Sequence, residues 1–278
     1  MTVHDLILSG TARLAEAGID SARHDAEALT AHALGLSRMQ LLIRRQDTVP
    51  EGDAARCAAL FQRRAAREPL QYIEGTTDFF GLCFDVTPSV LIPRADTESV
   101  CEQALGLLPG LPGQSVLDLG TGSGAIAIVL AAIGKAQVTA VDISAEALEV
   151  ARQNARKHAV RVRFFQSDLF ESLPPGRFGL IVSNPPYIPA RELPLLQPEV
   201  RFEPRRALDG GEDGLDFYRR IASGLRERLL PGGALVLECG DDQTDRVAAM
   251  FSPYFSQTVC FRDLSGQPRG VRGKGYLE

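Results

Sequence analysis

The sequence predicts an α/β protein, a mostly parallel sheet layered with helices and preceded by a small helical bundle. Three observations carry this. From residue 115 onward, short apolar runs alternate with helical stretches, the texture of strand–helix units that build a parallel sheet. A glycine-rich turn at residues 120–124 joins the first of these strands to its helix. Residues 1 to about 70 place apolar side chains at helical spacing and show no strand pattern.

In the N-terminal region, Val3, Leu6, Ile7, Ala12 and Leu14 recur at helical spacing up to Gly18. A second helix over 20–34 stops at Gly35, a residue suited to the left-handed cap. Ser37 can cap a short helix through Leu42, and 51–67 makes another. The texture changes from Thr76. Phe79-Phe80-Gly81 and Cys83-Phe84-Asp85-Val86 suggest a hairpin, and Pro93 fixes an extended turn at the end of a connector over 76–94. Strands are then expected at 115–119, 137–141, 161–165, 178–182, 234–238 and 258–262, and helices at 124–133, 145–158, 214–230 and 243–251. The expected domains are thus 1–75, helical, and 95–278, α/β.

Composition narrows the function classes. With 278 residues, 45% hydrophobic and 23% charged, the chain can bury the cores of about two domains. Thirty basic against thirty-five acidic residues give a net charge of −5, which speaks against a polyanion as the main partner. No apolar run nears the ~20 residues of a membrane span, and the start lacks a signal-peptide pattern. The five cysteines are scattered without a CxxC pair, so neither a disulfide framework nor a metal site is expected. A cytoplasmic enzyme is the default.

The strand Val116-Leu117-Asp118-Leu119 runs into Gly120-Thr121-Gly122-Ser123-Gly124, which opens a helix. Missing Cβ atoms let a ligand approach the main chain, and N–H groups at a helix start favour an anionic group. Asp142 follows Gly120 by 22 residues, at the end of the next strand, placed to accept both hydroxyls of an adenosine ribose. Gly120-x-Gly122-x-x-Ala125 also satisfies a relaxed dinucleotide fingerprint, which keeps an NAD-dependent oxidoreductase open. Asp118 and Asp168 add carboxylates at two further strand ends and favour a cationic ligand. A sulfonium cofactor with an amino-acid tail suits this set, with Asp118 near its ammonium, Asp142 at the ribose, and Asp168 and Leu169 at the adenine.

The discriminating motif is Asn184-Pro185-Pro186-Tyr187, directly after the strand Leu180-Ile181-Val182-Ser183. A loop at the carboxyl end of a parallel strand faces the same cleft as the glycine turn. The Asn184 side-chain oxygen and the Pro185 carbonyl are two acceptors for a planar NH₂ group, Pro186 restricts the backbone presenting them, and Tyr187 offers an aromatic face. An amide nitrogen is a poor nucleophile, and acceptors gripping its hydrogens stabilise the charge that develops as it attacks a methyl group.

With these motifs the chain resembles class I S-adenosylmethionine-dependent methyltransferases of Rossmann-like fold. Within them it is similar to the HemK/PrmC family, which methylates the glutamine of the Gly-Gly-Gln loop in peptide chain release factors. The stretches from Val90-Leu91-Ile92-Pro93-Arg94 to Glu98 and from Glu203-Pro204-Arg205-Arg206 to Leu215 carry the resemblance, together with Asp263-Leu264-Ser265-Gly266-Gln267-Pro268-Arg269 and the helical N-terminal domain. Ala95 departs from it, standing where the family usually has proline.

The resemblance implies S-adenosylmethionine as donor and S-adenosylhomocysteine as product, with no metal. Donor contacts fall to Gly120, Thr121, Gly122, Ser123, Gly124, Asp142, Asp168, Leu169 and Asn184. Asn184, Pro185, Pro186 and Tyr187 hold the glutamine amide. Arg94 and Glu203 are further candidates: Arg94 is expected to shape the cofactor or substrate mouth, a surface ion pair being the alternative for each. Release factors are the expected partner of a cytoplasmic monomer whose helical domain recognises substrate, with neither membrane nor nucleic acid as direct partner. Adenine-N6 methylation of DNA or RNA, methylation of a ribosomal-protein glutamine, and a non-catalytic cofactor-fold protein remain as alternatives.

Overall fold

A computed structural model describes all 278 residues, Met1–Glu278. They divide into two compact units. The first is Met1–Thr76 with Gln197–Phe202, and the second is Thr77–Leu196 with Glu203–Glu278.

The first unit contains α1 (Val3–Glu16), α2 (Ala22–Leu34), α3 (Arg38–Ile43), α4 (Glu51–Ala65) and the short α5 (Leu70–Glu74). Local chemistry sets the ends. Thr2 and Asp5 form a reciprocal capping box at α1, and Ser37 and Gln40 form another at α3. Gly35 closes α2 at φ +63°, a region that side chains with a Cβ avoid. Val3, Leu6, Leu14, Leu29, Cys57 and Phe61 share the core. Gly10 gives the Phe61 ring its place, since a Cβ there would lie 2.5 Å from Cζ. The buried Arg64 guanidinium donates to Asp25 at 2.7 Å and to Glu199 at 3.0 Å, and Arg67 donates to the other Glu199 oxygen at 2.9 Å. This bonding ties the 197–202 segment to the helices.

The second unit opens with a hairpin, β1 (Thr76–Phe79) and β2 (Leu82–Asp85), followed by α6 (Ala95–Leu107). It continues as β3 (Ser115–Leu119), α7 (Ala125–Ala132), β4 (Gln137–Asp142), α8 (Ala145–Lys157), β5 (Val162–Gln166) and β6 (Phe178–Ser183). Then come α9 (Asp216–Arg228), β7 (Leu229–Glu238), α10 (Thr244–Phe251), β8 (Phe255–Arg262) and β9 (Pro268–Tyr276). The sheet order is β5-β4-β3-β6-β7-β9-β8, parallel through β7, with β9 antiparallel to β7 and β8 antiparallel to β9. Successive residues alternate between faces. Val116, Leu180, Val182, Ala234 and Val236 enter one core, while Leu117, Leu119, Ile181, Leu235 and Leu237 enter the other. The order reverses between β3 and β6, and crevices at such a point bind ligands. No helix is long and apolar enough to cross a membrane.

Three elements escape the sequence pattern. Helix α5 is a single short turn after Pro69. In α6 the polar Thr97 and Ser99 are buried beside Val100, Cys101 and Ala104, so the apolar stripe that marks an amphipathic helix is broken. Ala95 is the first residue of this helix, where proline is favoured but an ordinary N–H is equally free of intrahelical duty. Strand β9 contains Gly270, Gly273 and Gly275, residues depleted from strands. The glycines mark close approach, because a Cβ at Gly273 would lie 2.6 Å from the Phe255 ring.

Candidate active site

The glycine turn is built by two carboxylates with different tasks. At the end of β3, Asp118 accepts from the Thr121 hydroxyl at 2.6 Å, while the Thr121 N–H donates to the Val141 carbonyl at 2.8 Å. At the end of β4, Asp142 accepts from the Gly122 N–H and the Ser144 N–H, each at 2.9 Å and each on a different oxygen. Gly120 and Gly122 sit at φ +70° and +55°, so the turn needs residues without a Cβ. Asn154 of α8 clamps the turn from the far side. Its Nδ2 donates to the carbonyls of Ser123 at 2.9 Å and Asp85 at 3.0 Å, and its Oδ1 accepts from the Asp85 N–H at 2.7 Å. Asn154 is fully buried and had no local signal, because its partners lie 31 and 69 residues away.

A cavity of about 210 Å³ opens over the carboxyl ends of β3, β4, β5 and β6. Gly120, Gly122, Asp142, Asp168, Leu169, Asn184 and Pro186 line it. Thr121, Ser123 and Gly124 do not. Thr121 and Ser123 are buried within the turn, and Gly124 starts α7 at φ +83°. Pro185 is likewise buried. The lining also takes Val90 and Leu91 from the connector, Ile143 after β4, Pro204 and Arg206 after the Asn-Pro-Pro-Tyr loop, and Phe217 and Arg220 from α9. Val90, Leu91, Pro204 and Arg206 lie in stretches that carry the family resemblance, but only the fold brings them to the cavity, and Phe217 and Arg220 stand outside every motif.

The three expected carboxylates are not equivalent. Asp118 is buried beneath the turn rather than on the lining. Asp168 reaches the cavity but is paired with Arg220 at 2.7 Å. Asp142 combines a cavity position with spare acceptor capacity and no paired cation, since a carboxylate accepts roughly four hydrogen bonds and the Gly122 and Ser144 N–H groups take two. Burial raises the Asp142 carboxyl, against the pull of the Ser144 and Gly122 N–H groups. Arg94 is not on the lining either. It is ion-paired with the buried Glu203, which also accepts from the Ile92 N–H at 3.2 Å and so fixes the connector. Burial pushes the Glu203 carboxyl up, against the opposing charge of Arg94.

The Asn-Pro-Pro-Tyr loop is held by distant partners. The Ser183 hydroxyl donates to the Leu119 carbonyl at 2.7 Å. Asn184 Nδ2 donates to Thr97 Oγ1 at 3.2 Å, and Gln243 Nε2 donates to the Tyr187 carbonyl at 2.9 Å. Gly210 packs under the loop, where a Cβ would lie 2.8 Å from the Tyr187 main chain. The Tyr187 ring packs against the core that holds Leu117 and Tyr218, and its hydroxyl faces the buried Glu238. The ring therefore braces the loop, in contrast to the expected platform on the cavity. No group of three or more His, Cys, Asp or Glu is placed to hold a metal ion.

Residues 5–75 match the family described as PrmC N-terminal domain, and residues 103–195 match the methyltransferase small domain. The chain is 50% identical to the release factor glutamine methyltransferase of Geobacter sulfurreducens over 264 residues, 94% of this chain and 92% of that protein. It is 46% identical to that of Moorella thermoacetica, over 97% of each. The chain belongs to the release factor glutamine methyltransferase family. Among solved structures, a methyltransferase from Pyrococcus furiosus shares the fold at TM-score 0.54 and 19% identity, over 80% of this chain and 98% of that one. The T. thermophilus 16S rRNA N2 G1207 methyltransferase, solved with AdoMet and guanosine, aligns at 0.51 and 21% identity, over 72% and 49%.

In this family member, burial raises Asp118 to about 7 from its ordinary 3.8, the Thr121 hydroxyl opposing. The folded chain then holds a proton that the unfolded chain has released, so stability present below the unfolded value is lost as pH rises through the folded one. We expect ligand-free Asp118→Asn to lose less stability than wild type between pH 5 and 8, by about 2.5 kcal/mol, since wild type loses roughly 1.4 kcal/mol per pH unit only up to the folded value near 7. Urea unfolding at the two pH values measures this. Equal losses in both proteins would show that Asp118 titrates normally.

Proposed function

We infer that this chain transfers a methyl group from S-adenosylmethionine to the side-chain amide nitrogen of the glutamine in the Gly-Gly-Gln motif of release factors, leaving S-adenosylhomocysteine. The supporting observation is the position of Asn184 on the same cavity as Gly120, Gly122 and Asp142. An acceptor for an NH₂ group thereby shares one cleft with a nucleoside site.

The residues fit the donor. Gly120 and Gly122 would receive its amino-acid end against bare main chain, since nothing lies within 4 Å of a Cβ built at either. Asp142 has two acceptor positions for the ribose hydroxyls, and Ile143, Leu169 and Phe217 offer apolar surface to the adenine. The bound donor supplies an electrophilic methyl group. Asn184 Oδ1 and the Pro185 carbonyl hold the two amide hydrogens, favour a pyramidal nitrogen and stabilise its developing positive charge. This is alignment and electrostatics with no strong base, and the proton leaves after transfer. We place the reaction in the cytoplasm.

The test supplies methyl-labelled donor to the purified protein with a release factor or with DNA. Label is expected on the release factor and is lost when its loop glutamine is replaced. Label on DNA alone would overturn the reading.

A further inference from the structure

We propose that Thr97 and Glu238 form a relay that fixes which end of the Asn184 amide faces the cavity. The proposal deepens the methyltransferase reading and rests on it. An Asn side chain presents an acceptor on one side and a donor on the other, and only the acceptor can hold an NH₂ group. A flipped Asn184 would aim its own NH₂ at the substrate amide. Something must therefore set the direction.

The bonding supplies it. Asn184 Nδ2 lies 3.2 Å from Thr97 Oγ1. The Glu238 carboxyl, at the end of β7, faces the Thr97 hydroxyl, which favours its charged form. Thr97 and Glu238 are 5% and 2% exposed, so water does not substitute for either contact. Glu238 Oε2 has no hydrogen-bond partner, so this buried carboxylate keeps unmet acceptor capacity beside the Thr97 and Tyr187 hydroxyls. An ionised carboxylate only accepts, so the single Thr97 proton points at Glu238. The Thr97 oxygen is then left with lone pairs, and only Asn184 Nδ2 can answer them. Asn184 Oδ1 is turned the other way. The same carboxylate faces the Tyr187 hydroxyl, so one buried group orients both ends of the Asn-Pro-Pro-Tyr loop.

The relay depends on Glu238 being charged. The charged and titratable groups around it are Asp96 and Cys101 of α6, Tyr187, Tyr218 of α9, the adjacent Cys239 and Arg269 of β9. Burial raises Glu238 to about 7, with the Thr97 hydroxyl and the Arg269 charge opposing. Once protonated, Glu238 can donate to Thr97 and reverse the relay. Turnover should therefore fall as pH drops below this value.

Labelled methyl transfer to release factor, with kcat and donor KM measured from pH 6 to 9, tests the relay. Thr97→Val is expected to lower kcat about 10-fold or more with donor KM within about 3-fold, and Thr97→Ser to restore kcat to within about 3-fold. Glu238→Gln is expected to lower kcat and abolish the acid limb. A Thr97→Val enzyme as fast as wild type, a Thr97→Ser enzyme as slow as Thr97→Val, or an acid limb that survives Glu238→Gln would each overturn the proposal. Should Thr97→Val fail to fold, Thr97→Ser and the Glu238→Gln profile decide. Wild-type protein that labels no release factor would instead overturn the methyltransferase reading, which separates the two failures.

Discussion

Asn184→Ala is expected to lower the rate of methyl transfer about 100-fold or more while changing donor affinity by only a few-fold. The asymmetry follows from when the interaction matters. In the ground state the substrate amide nitrogen is planar and carries little charge, so its bond to Asn184 Oδ1 is worth about 1 kcal/mol. As the nitrogen attacks, positive charge builds on it and the same bond strengthens. Groups aimed at developing charge in a water-poor site are worth about 100- to 1,000-fold each. Asn184 lines the cavity, but its resolved hydrogen bond runs to Thr97, not to the glycine turn. Single-turnover rates together with equilibrium binding of S-adenosylhomocysteine separate the two effects. Equal losses in rate and affinity would remove Asn184 from its role as amide acceptor.

The second large effect is the mirror image. Asp142→Ala should weaken donor binding by about 100-fold, because two ribose hydroxyls each lose a charge-assisted bond worth roughly 1.5 kcal/mol. The Gly122 and Ser144 N–H groups also lose the oxygens that hold them. The turn then loosens at the residue that must approach the ligand, which adds to the loss. Calorimetric titration with S-adenosylhomocysteine reads the affinity, and rates at saturating donor should recover to within about 10-fold of wild type. Unchanged affinity would take Asp142 out of the donor site. The pair of variants thus tests whether donor binding and amide activation are assigned to different residues.

Much of the scaffold was legible because its signals are local. Alternating strands and helices, the glycine turn, the offset to Asp142 and the Asn-Pro-Pro-Tyr loop after β6 all lie within short windows. The sheet they predict is the one that forms, parallel through β7. Where long-range partners supply the reason for an element, the sequence was silent. Helix α6 hid because Thr97 and Ser99 are polar yet buried, and β9 hid because its glycines answer to the rings of Phe255 and Phe261 on β8. Phe217 and Arg220 reach the cavity from a helix without a motif.

The sequence by itself determined the fold class and the chemistry offered at the strand ends. A two-residue alternation and a turn that tolerates no Cβ constrain the backbone whatever packs on it later. Tertiary structure decided which of those groups are available. Asp118 and Asp168 end their strands as the pattern requires, yet Thr121 and burial take the first away from the cavity, and Arg220 neutralises the second. Tyr187 follows its prolines as expected, but Glu238 and the core take its hydroxyl and ring. Spacing along the chain fixes where a side chain begins. What its polar atoms face depends on partners brought together only by packing, and a buried polar group bonds to whichever of them is there.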